Sequence, residues 1–536
     1  FHGLYVSTNS ASSFSLRSSS PNIMGNSDVG SDANDQQEYN MALAVSPLNI
    51  NQIACGGINL WTSSTGGVLY QFQQRVVNNF DYYHADIHQL VYHPLSSGLL
   101  YMCGDGGVYR SFDNGNSWTG LNTTLSVTQY YKISINPGIS GQENIMIGGT
   151  QDNGTHKKEN SGGVFEQILG GDGMDCFIDP DGSATYVASR QDGVFYYSTN
   201  GGNNFEFVCN ADTLDPIIAN LQSRWVTPVA EITGNTNQFI IGYSALVKVT
   251  RFGMGIYAFN QISPRSNDYG KRFVKTARGN ANRIYYGQTR NNTLEHLVFT
   301  TTNGGNTWDT IYNNEQDSTS MTDLTFDPSN GNRVWITFGG YASSKKVIYS
   351  GNGGGSWQNI TGSLPNVPIN CIVYETNSTN DGIYIGTDIG VFYRNNTLGD
   401  WIPFSNGLPV VEVTDLEIHN ALGLLRAGTY GRGIWETTLY SSCDASITVN
   451  TSNTNINAPY YFQAGQTISS TAVHAGAGAN VFYKAGDRIT LSPGFRALSI
   501  SGDNLINITT GPCGAGVPSA ANGRSPVNRR RGVLVE

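Results

Sequence analysis

The chain has 536 residues, of which only 13% are charged, and it contains 64 glycines and 29 tyrosines. Its formal net charge of −10 argues against a nucleic-acid partner, because nothing neutralises phosphate over an extended surface. No apolar run reaches the roughly 18 residues that a transmembrane helix needs. The composition favours short strands joined by tight turns. Because the chain begins at Phe1, we expect a processed product or a fragment.

A short motif, S/T-x-D/N-x-G-x-x-W/F, recurs along the chain. Four copies follow it without gaps, at 111–118, 198–205, 301–308 and 350–357, and two weaker copies begin at Ser7 and Ser63. The Asp or Asn side chain can hydrogen-bond across the turn, glycine supplies a positive φ, and the aromatic ring packs on the core. We therefore predict a structural role for the repeat residues Ser111, Asp113, Gly115, Trp118, Asn200, Phe205, Asn303, Trp308, Asn352 and Trp357.

The spacing of the motif predicts the fold. The copies begin at 7, 63, 111, 198, 301 and 350, and the two long intervals are close to twice a unit of about 45–50 residues. Degenerate copies of the motif are expected near residues 160 and 250 and at 394–401. One strand, turn and strand per unit predicts four-stranded blades around an axis, hence an all-β propeller of about ten units. The strand before each turn is centred on Leu4, Leu60, Val108, Thr155, Val194, Val247, Val298, Val347, Val391 and Ile434.

On these motifs, 3–439 resembles the Asp-box (BNR-type) propellers, which include sialidases, sortilin-type receptors and xyloglucan-specific endoglucanases. The resemblance implies a propeller domain at 1–440, either one large ring, as in sortilin-type receptors, or two smaller rings, as in the endoglucanases. Since no linker interrupts the spacing, we favour one ring. We expect it to close by completing a blade from 3–7 and 433–439, which would hide the sheet edges.

The C-terminal region has a different pattern. A short motif at 462–468 returns 21 residues later at 483–489, which predicts a small all-β module of stacked strands at 443–513. It resembles modules found near the C-termini of extracellular Bacteroidetes proteins that use type IX secretion. Cys443 and Cys513 flank the module, either as a disulfide or as two free thiols. Residues 514–536 are predicted to be a linker or tail.

The candidate catalytic residues are Asp86, Asp152 and Asp172. They lie in short sequence segments that resemble segments of bacterial Asp-box proteins described as glycosyl hydrolases. Loops converge at one end of a propeller channel, and a carboxylate pair is what glycoside hydrolysis needs. The alternative is that these residues are ordinary turn formers beside glycine. His84 and His88 would share a strand face with Asp86, but three ligands make a weak metal site. We therefore predict no metal and no cofactor.

The function remains divided between two classes. Arg224, Arg251 and Arg290 are scattered, so no arginine triad supports a sialidase. Every tryptophan is assigned to a repeat or a strand, including Trp225, which leaves none for stacking on sugars. We therefore favour a secreted or cell-surface, non-catalytic platform that binds protein or glycan or assembles with itself. The alternative is a glycoside hydrolase of endoglucanase type acting on a β-glucan such as xyloglucan. We expect no hydrolysis of sialosides and at most weak activity on β-glucans.

Overall fold

The structure is a computed structural model that divides into two compact units, Phe1–Thr128 and Gln129–Glu536. The residues that it describes are 1–33, 35–73, 83–122, 125–136, 141–160, 163–181, 184–214, 217–218, 220–266, 271–290, 295–314, 319–342, 344–376, 378–440, 446–449, 460–464, 467–476, 481–485, 488–493, 495–499, 506–510 and 519–520.

The first unit contains one β-hairpin and two four-stranded antiparallel sheets. Small side chains of β3, Ala42 and Ala44, pack with Leu90 and Trp118 in the core between the sheets. The strands are β1 Leu4–Val6 and β2 Ser15–Ser18 in the hairpin, β3 Ala42–Ser46, β4 Asn49–Gly56, β5 Leu60–Ser63 and β6 Gln71–Gln73 in one sheet, and β7 Ile87–Tyr92, β8 Leu100–Gly104, β9 Gly107–Ser111 and β10 Thr119–Gly120 in the other.

The second unit contains seven antiparallel sheets in succession; the first six are four-stranded meanders, and the seventh begins with a three-stranded meander. A short helix, α1 Ala211–Leu214, lies between the second and third sheets. The strands are β11 Tyr130–Ile135, β12 Met146–Thr150, β13 Gly154–Lys158 and β14 Phe165–Leu169; β15 Gly173–Ile178, β16 Tyr186–Arg190, β17 Val194–Ser198 and β18 Glu206–Cys209; β19 Val229–Glu231, β20 Gln238–Gly242, β21 Leu246–Gly253 and β22 Ile256–Gln261; β23 Phe273–Ala277, β24 Asn280–Arg290, β25 Glu295–Thr301 and β26 Asp309–Asn314; β27 Met321–Asp327, β28 Asn330–Phe338, β29 Val347–Ser350 and β30 Gln358–Asn359; β31 Ile369–Tyr374, β32 Ile383–Thr387, β33 Gly390–Arg394 and β34 Ile402–Pro403; β35 Val413–His419, β36 Leu424–Thr429 and β37 Ile434–Thr438.

All ten positions predicted for the strand before each turn lie in strands. Leu4 lies in β1, and the other nine lie in the third strand of a sheet: β5, β9, β13, β17, β21, β25, β29, β33 and β37. The prediction of an all-β fold made of repeated four-stranded units is confirmed.

The seven sheets of the second unit close into a ring. The last sheet meets the first where the backbone N–H of Ile133 donates to Asp415 Oδ2 at 2.9 Å and Thr414 Oγ1 donates to the carbonyl of Tyr130 at 2.7 Å. Near the other end of these strands, Arg426 Nη1 donates to the carbonyl of Glu143 at 3.1 Å. Seven four-stranded units in a closed ring form a β-propeller.

This ring corrects two expectations. One ring through all ten units is wrong, because the sheets from β11 to β37 close on themselves. The expected pairing of 3–7 with 433–439 is also wrong, because β1 pairs with β2 and β37 pairs with β36. The termini of the predicted repeat array therefore do not complete one blade.

The first strands of all seven sheets line a central cavity of about 280 Å³. Three aspartates on these strands each accept a backbone N–H from the first strand of the next sheet. Asp175 accepts Val229 at 3.0 Å, Asp323 accepts Ile372 at 3.2 Å, and Asp415 accepts Ile133 across the closing interface. The same side-chain bond is therefore used both inside the ring and at its seam.

The repeated motif forms one hydrogen-bonded turn. In the copy at 301–308, the N–H of Gly305 donates to Thr301 Oγ1 at 3.1 Å, and the N–H of Thr307 donates to Asn303 Oδ1 at 3.0 Å. The corresponding bonds recur in the other three strong copies and in the weak copies that begin at Ser7 and Ser63. The indole N–H of Trp308 donates to the carbonyl of Ile262, just after β22, at 2.7 Å, and that of Trp357 donates to the carbonyl of Ile311 on β26 at 3.1 Å.

The C-terminal region forms three parallel ladders. Their strands are β38 Ser446–Val449, β40 Thr467–Ser470 and β43 Arg488–Leu491; β39 Tyr460–Ala464, β42 Val481–Ala485 and β45 Ile506–Thr510; and β41 Val473–Gly476 and β44 Arg496–Ser499. Ser446 pairs with Thr467 and Thr467 with Arg488, so the 21-residue sequence repeat becomes one coil of stacked strands.

One further strand, β46 Ser519–Ala520, pairs with β37 as the fourth strand of the seventh sheet. Cys443 and Cys513 lie outside the described residues, and their pairing stays a prediction. Within the described part of the chain, no helix is long and apolar enough to cross a membrane.

Candidate functional site

The candidate site lies at one end of the seven-sheet ring, which we call the loop face. In an antiparallel meander, the hairpins between second and third strands and the connections from one sheet to the next lie at the same end. Three of these hairpins carry an aspartate: Asp152, Asp192 and Asp388. Asp152 and Asp192 have φ values of 60° and 57°, a conformation that Asp tolerates in tight turns. The loop face is therefore acidic along part of its rim.

Three aromatic residues from distant parts of the chain meet there, and we call them the aromatic corner: Tyr131, Trp225 and Tyr430. The indole N–H of Trp225 donates to the hydroxyl of Tyr131 at 3.0 Å, and the rings of Tyr131 and Tyr430 lie 5.5 Å apart. Trp225 is 45% exposed. Burial raises the pKa of Tyr430, and the neighbouring Tyr131 hydroxyl raises it further. The corner therefore presents a large, half-exposed ring that is held in place by the hydroxyl of Tyr131.

A network of amides and carboxylates adjoins the aromatic corner. The hydroxyl of Tyr131 donates to Gln151 Oε1, and Gln151 Nε2 donates to Asp152 at 2.7 Å and to Asp172 at 3.0 Å. The backbone N–H of Asp152 also donates to Asp172, at 2.7 Å. Gln151 thus orients both candidate aspartates and connects them to the aromatic residues.

The loop face continues from the aromatic corner to a second exposed aromatic residue. The N–H of Tyr430 donates to the carbonyl of Glu412 at 2.9 Å. Burial raises the pKa of Glu412, and the charge of Asp388 adds to that shift. Asp388 in turn accepts the hydroxyl of Tyr341 at 3.4 Å, and Tyr341 is 69% exposed. Contacts thus join Trp225 to Glu412 through Tyr131 and Tyr430, and Tyr341 and Asp388 form a second bonded pair on the same face.

The structure divides the three predicted catalytic residues between the two units. Asp152 and Asp172 share a donor in the second unit, whereas Asp86 belongs to the first, where it accepts Asn40 Nδ2 at 2.6 Å. Asp86 has a φ of 64° and precedes β7, so His84, Asp86 and His88 do not share a strand face. His88 Nε2 instead bonds Asp105 at 2.6 Å. Within the described residues, no group of three His, Cys, Asp or Glu side chains is arranged to hold a metal.

The repeat residues of the second unit lie away from this site. Their turns join third and fourth strands, which places them at the end of the ring opposite the loop face. Asn200, Asn303 and Asn352 therefore do not contribute to the aromatic corner.

Sequence reasoning missed the main features of the site. The sequence predicts a strand at Trp225, but the structure places this residue in the connection before β19. The nearby Pro228 is a sequence signal against a strand here, because proline cannot donate a backbone hydrogen bond. In the sequence, Asp192 and Asp388 are recognisable only as members of Gly-rich turns between strands, with no sign that they lie near Trp225 or Tyr341.

Comparisons with known proteins show similarity of limited extent. No family model matches the chain. A xyloglucanase of Hypocrea jecorina is 30% identical over 126 residues, which are 22% of this chain and 15% of that enzyme. The GH74 xyloglucanase of Xanthomonas campestris has 13% identity and a TM-score of 0.49, over 74% of this chain and 58% of that one. The structure of YCF48 bound to D1 peptide has 14% identity and a TM-score of 0.35, over 58% and 91%. The chain thus spans less than two thirds of either xyloglucanase.

Proposed function

We propose that the protein is a secreted or cell-surface platform that binds a glycan, without cleaving it, on the loop face of the seven-sheet ring. The observation that carries this proposal is the half-exposed indole of Trp225, fixed by Tyr131 beside a network of amides and carboxylates. Pyranose rings stack on aromatic faces, and their hydroxyls are both donors and acceptors. Ligand sites combine apolar surface with a few positioned polar groups in this way.

The hydrogen bonding of the carboxylates supports binding rather than hydrolysis. Asp152 and Asp172 accept from the same amide of Gln151, so both are oriented as acceptors. A glycosidase instead needs one carboxylic acid that protonates the leaving oxygen and a second group on the other side of the bond.

Affinity electrophoresis and calorimetry with xyloglucan, mixed-linkage β-glucan and galactan test the proposal. We expect Trp225→Ala to weaken binding of the preferred glycan about tenfold, which corresponds to roughly 1.4 kcal/mol. Phe252→Ala is the matched control, since Phe252 is 71% exposed on β21 and does not contact the aromatic corner. Equal affinity of wild type and Trp225→Ala, or failure of every glycan in the panel to bind, contradicts the proposal.

A second candidate is hydrolysis of a β-glucan, which the sequence similarity to the Hypocrea jecorina xyloglucanase favours. Reducing ends released from the same polysaccharides measure it directly. Turnover that is lost in Asp86→Asn, Asp152→Asn or Asp172→Asn would replace the binding proposal with an enzymatic one.

The wider assignment is also a proposal. We infer that the chain is a member of the Asp-box (BNR-type) group, with a propeller region at 1–440, a Bacteroidetes-like extracellular module at 443–513 and a tail at 514–536. The repeated turn and the 21-residue parallel coil support this assignment. Protein ligands and self-assembly are alternative partners, and size-exclusion chromatography with and without glycan distinguishes self-assembly.

A further inference from the structure

A second exposed aromatic residue of the loop face is fixed by hydrogen bonds on several sides. Tyr341 lies in the hairpin between β28 and β29 of the fifth sheet, and most of its side chain is exposed. Its carbonyl accepts Asn366 Nδ2 at 2.5 Å, and its hydroxyl donates to Asp388 Oδ2 at 3.4 Å. The preceding carbonyl, that of Gly340, accepts the ammonium group of the buried Lys346 at 2.5 Å. The hairpin therefore holds an exposed aromatic ring in a defined position.

The surroundings of Tyr341 repeat those of the aromatic corner. Asp152 and Asp388 occupy the same place in their sheets, the hairpin between second and third strands of the first and the sixth sheet. Each is bonded to a side-chain amide: Gln151 Nε2 donates to Asp152 at 2.7 Å, and Asn370 Nδ2 donates to Asp388 Oδ1 at 3.0 Å. We call Tyr341, Asn370 and Asp388 the Tyr341 cluster. An exposed aromatic ring beside an amide and a carboxylate thus occurs twice on the loop face.

The two clusters lie on opposite sides of the mouth of the ring. The carbonyl of Trp225 accepts the backbone N–H of Asp192, in the hairpin of the second sheet, at 3.3 Å, whereas Tyr341 belongs to the fifth sheet. Three sheets is the largest separation that a ring of seven allows. Because stacked sheets lie about 10 Å apart, the circle of seven first strands is roughly 20 Å across. A single sugar is much shorter than this, so only a chain of several sugars can reach both clusters.

We propose that the Tyr341 cluster is a second glycan subsite, and that the ligand is a polysaccharide chain that crosses the mouth of the ring and binds both clusters at once. This inference rests on the proposed glycan-binding function, and it specifies an extended chain rather than a single sugar. The ring of Tyr341 would stack on a pyranose, with polar side chains beside it to orient the sugar. Once one cluster has bound the chain, binding at the other is intramolecular, so the polymer binds more tightly than a short oligosaccharide.

Calorimetry on the full chain tests the inference with xyloglucan, mixed-linkage β-glucan and galactan, and with a tetrasaccharide cut from the polymer that binds most tightly. We expect each wild-type chain to bind two tetrasaccharides and each Tyr341→Ala chain to bind one. Tyr341→Ala should weaken binding of the polymer at least tenfold, because it removes the intramolecular contact. It should change the affinity of the remaining tetrasaccharide less than twofold.

Two control variants separate the ring of Tyr341 from other effects. Tyr341→Phe keeps the ring but loses the bond to Asp388, and it should retain the affinity for the polymer within about threefold. Phe252→Ala removes an equally exposed aromatic ring from β21, outside both clusters, and should leave both affinities unchanged. Tyr341→Ala should melt at the wild-type temperature, because the side chain that it removes is exposed, and this separates loss of the subsite from loss of the fold.

The two proposals fail in different ways. Unchanged affinity of Tyr341→Ala for the polymer, or a single tetrasaccharide on each wild-type chain, overturns the second subsite, and the platform stands if Trp225→Ala still weakens binding. If Tyr341→Ala weakens binding and Trp225→Ala has no effect, the chain does not cross between the clusters and the inference is wrong. If none of the polymers binds, the glycan platform itself is wrong.

Discussion

Asp415 should determine how firmly the seven-sheet ring is closed. Its side chain accepts the N–H of Ile133 at 2.9 Å and pairs with Lys132 Nζ at 3.3 Å, both across the interface between the last and first sheets. Although burial alone would lower the pKa of Lys132, the charges of Asp415, Asp323 and Asp175 raise it. Lys132 therefore stays protonated and remains a partner of Asp415 at neutral pH.

The size of the effect follows from these contacts. Asp415→Ala leaves a buried N–H without an acceptor, which costs about 1–3 kcal/mol. Losing the ion pair adds up to about 1 kcal/mol, because Lys132 is 25% exposed and solvent screens the pair. We expect the free energy of unfolding to fall by about 2–4 kcal/mol in Asp415→Ala. In Asp415→Asn the decrease should be about half as large, since the amide oxygen still accepts the N–H.

Differential scanning calorimetry gives the melting transition, and hydrogen exchange followed by mass spectrometry reports on 130–135. Protection of that peptide should fall more in Asp415→Ala than in Asp415→Asn. Asp323→Ala is the control inside the ring, where the same bond reaches Ile372 and the seam is intact. Wild-type melting and unchanged exchange in Asp415→Ala would refute the assignment of the seam to this side chain.

Two further predictions concern stability. Asn303→Ala should lower the free energy of unfolding by about 1 kcal/mol without affecting ligand binding, because Asn303 Oδ1 accepts the N–H of Thr307 far from the loop face. Asn303→Asp is the control and should behave as wild type, since Asp113 makes the same bond in another copy of the turn. Loss of binding at unchanged stability would contradict this prediction. Burial raises the pKa of the Asp175 carboxyl to about 6, although the charge of Lys132 opposes this shift. The native state therefore retains a proton that the unfolded chain loses, and the free energy of unfolding should fall as pH rises from about 4 to 6. Asp175→Asn should therefore stabilise the protein by about 1–3 kcal/mol at pH 7.5 and have little effect on its stability at pH 4. Thermal melts of wild type and Asp175→Asn at both pH values measure this. An equal change in melting temperature at pH 7.5 and at pH 4 would refute the reasoning.

The repeat unit could be predicted from the sequence because it is local. A strand, a turn with its Asp or Asn, and an aromatic residue lie within a few positions of one another, so Val298 and Thr301 identify a third strand and its turn without further information. The number of sheets in the ring could not be predicted in the same way. Ring closure depends on the hydrogen bond between the Asp415 carboxylate and the backbone N–H of Ile133. The sequence around Asp415 does not indicate that β11, some 280 residues earlier, is the strand next to β35.

The site was hidden for a similar reason. The local pattern around Trp225 is compatible with a strand, and apart from Pro228 only the path of the connection before β19 shows that its side chain is exposed. Tyr131 and Tyr430 belong to different sheets and meet only because the last sheet closes on the first. The composition of the loop face is thus a property of the assembled ring, while the turns at its opposite end are a property of each unit.

The parallel ladders of the C-terminal region constrain how that region can change in length. Thr467 stacks on Ser446 and Arg488 stacks on Thr467, each one full coil further along the chain. Removing one whole coil of 21 residues would bring the flanking strands into the same alignment that they have now. Removing one residue fewer would turn every inward side chain of the next strand outward, because side chains alternate along a strand. The other ladders show which changes are tolerated, because Val473 pairs with Arg496 after 23 residues and Val481 pairs with Ile506 after 25. Variation in the length of a coil should therefore occur in even numbers of residues, which keep the inward side chains inward.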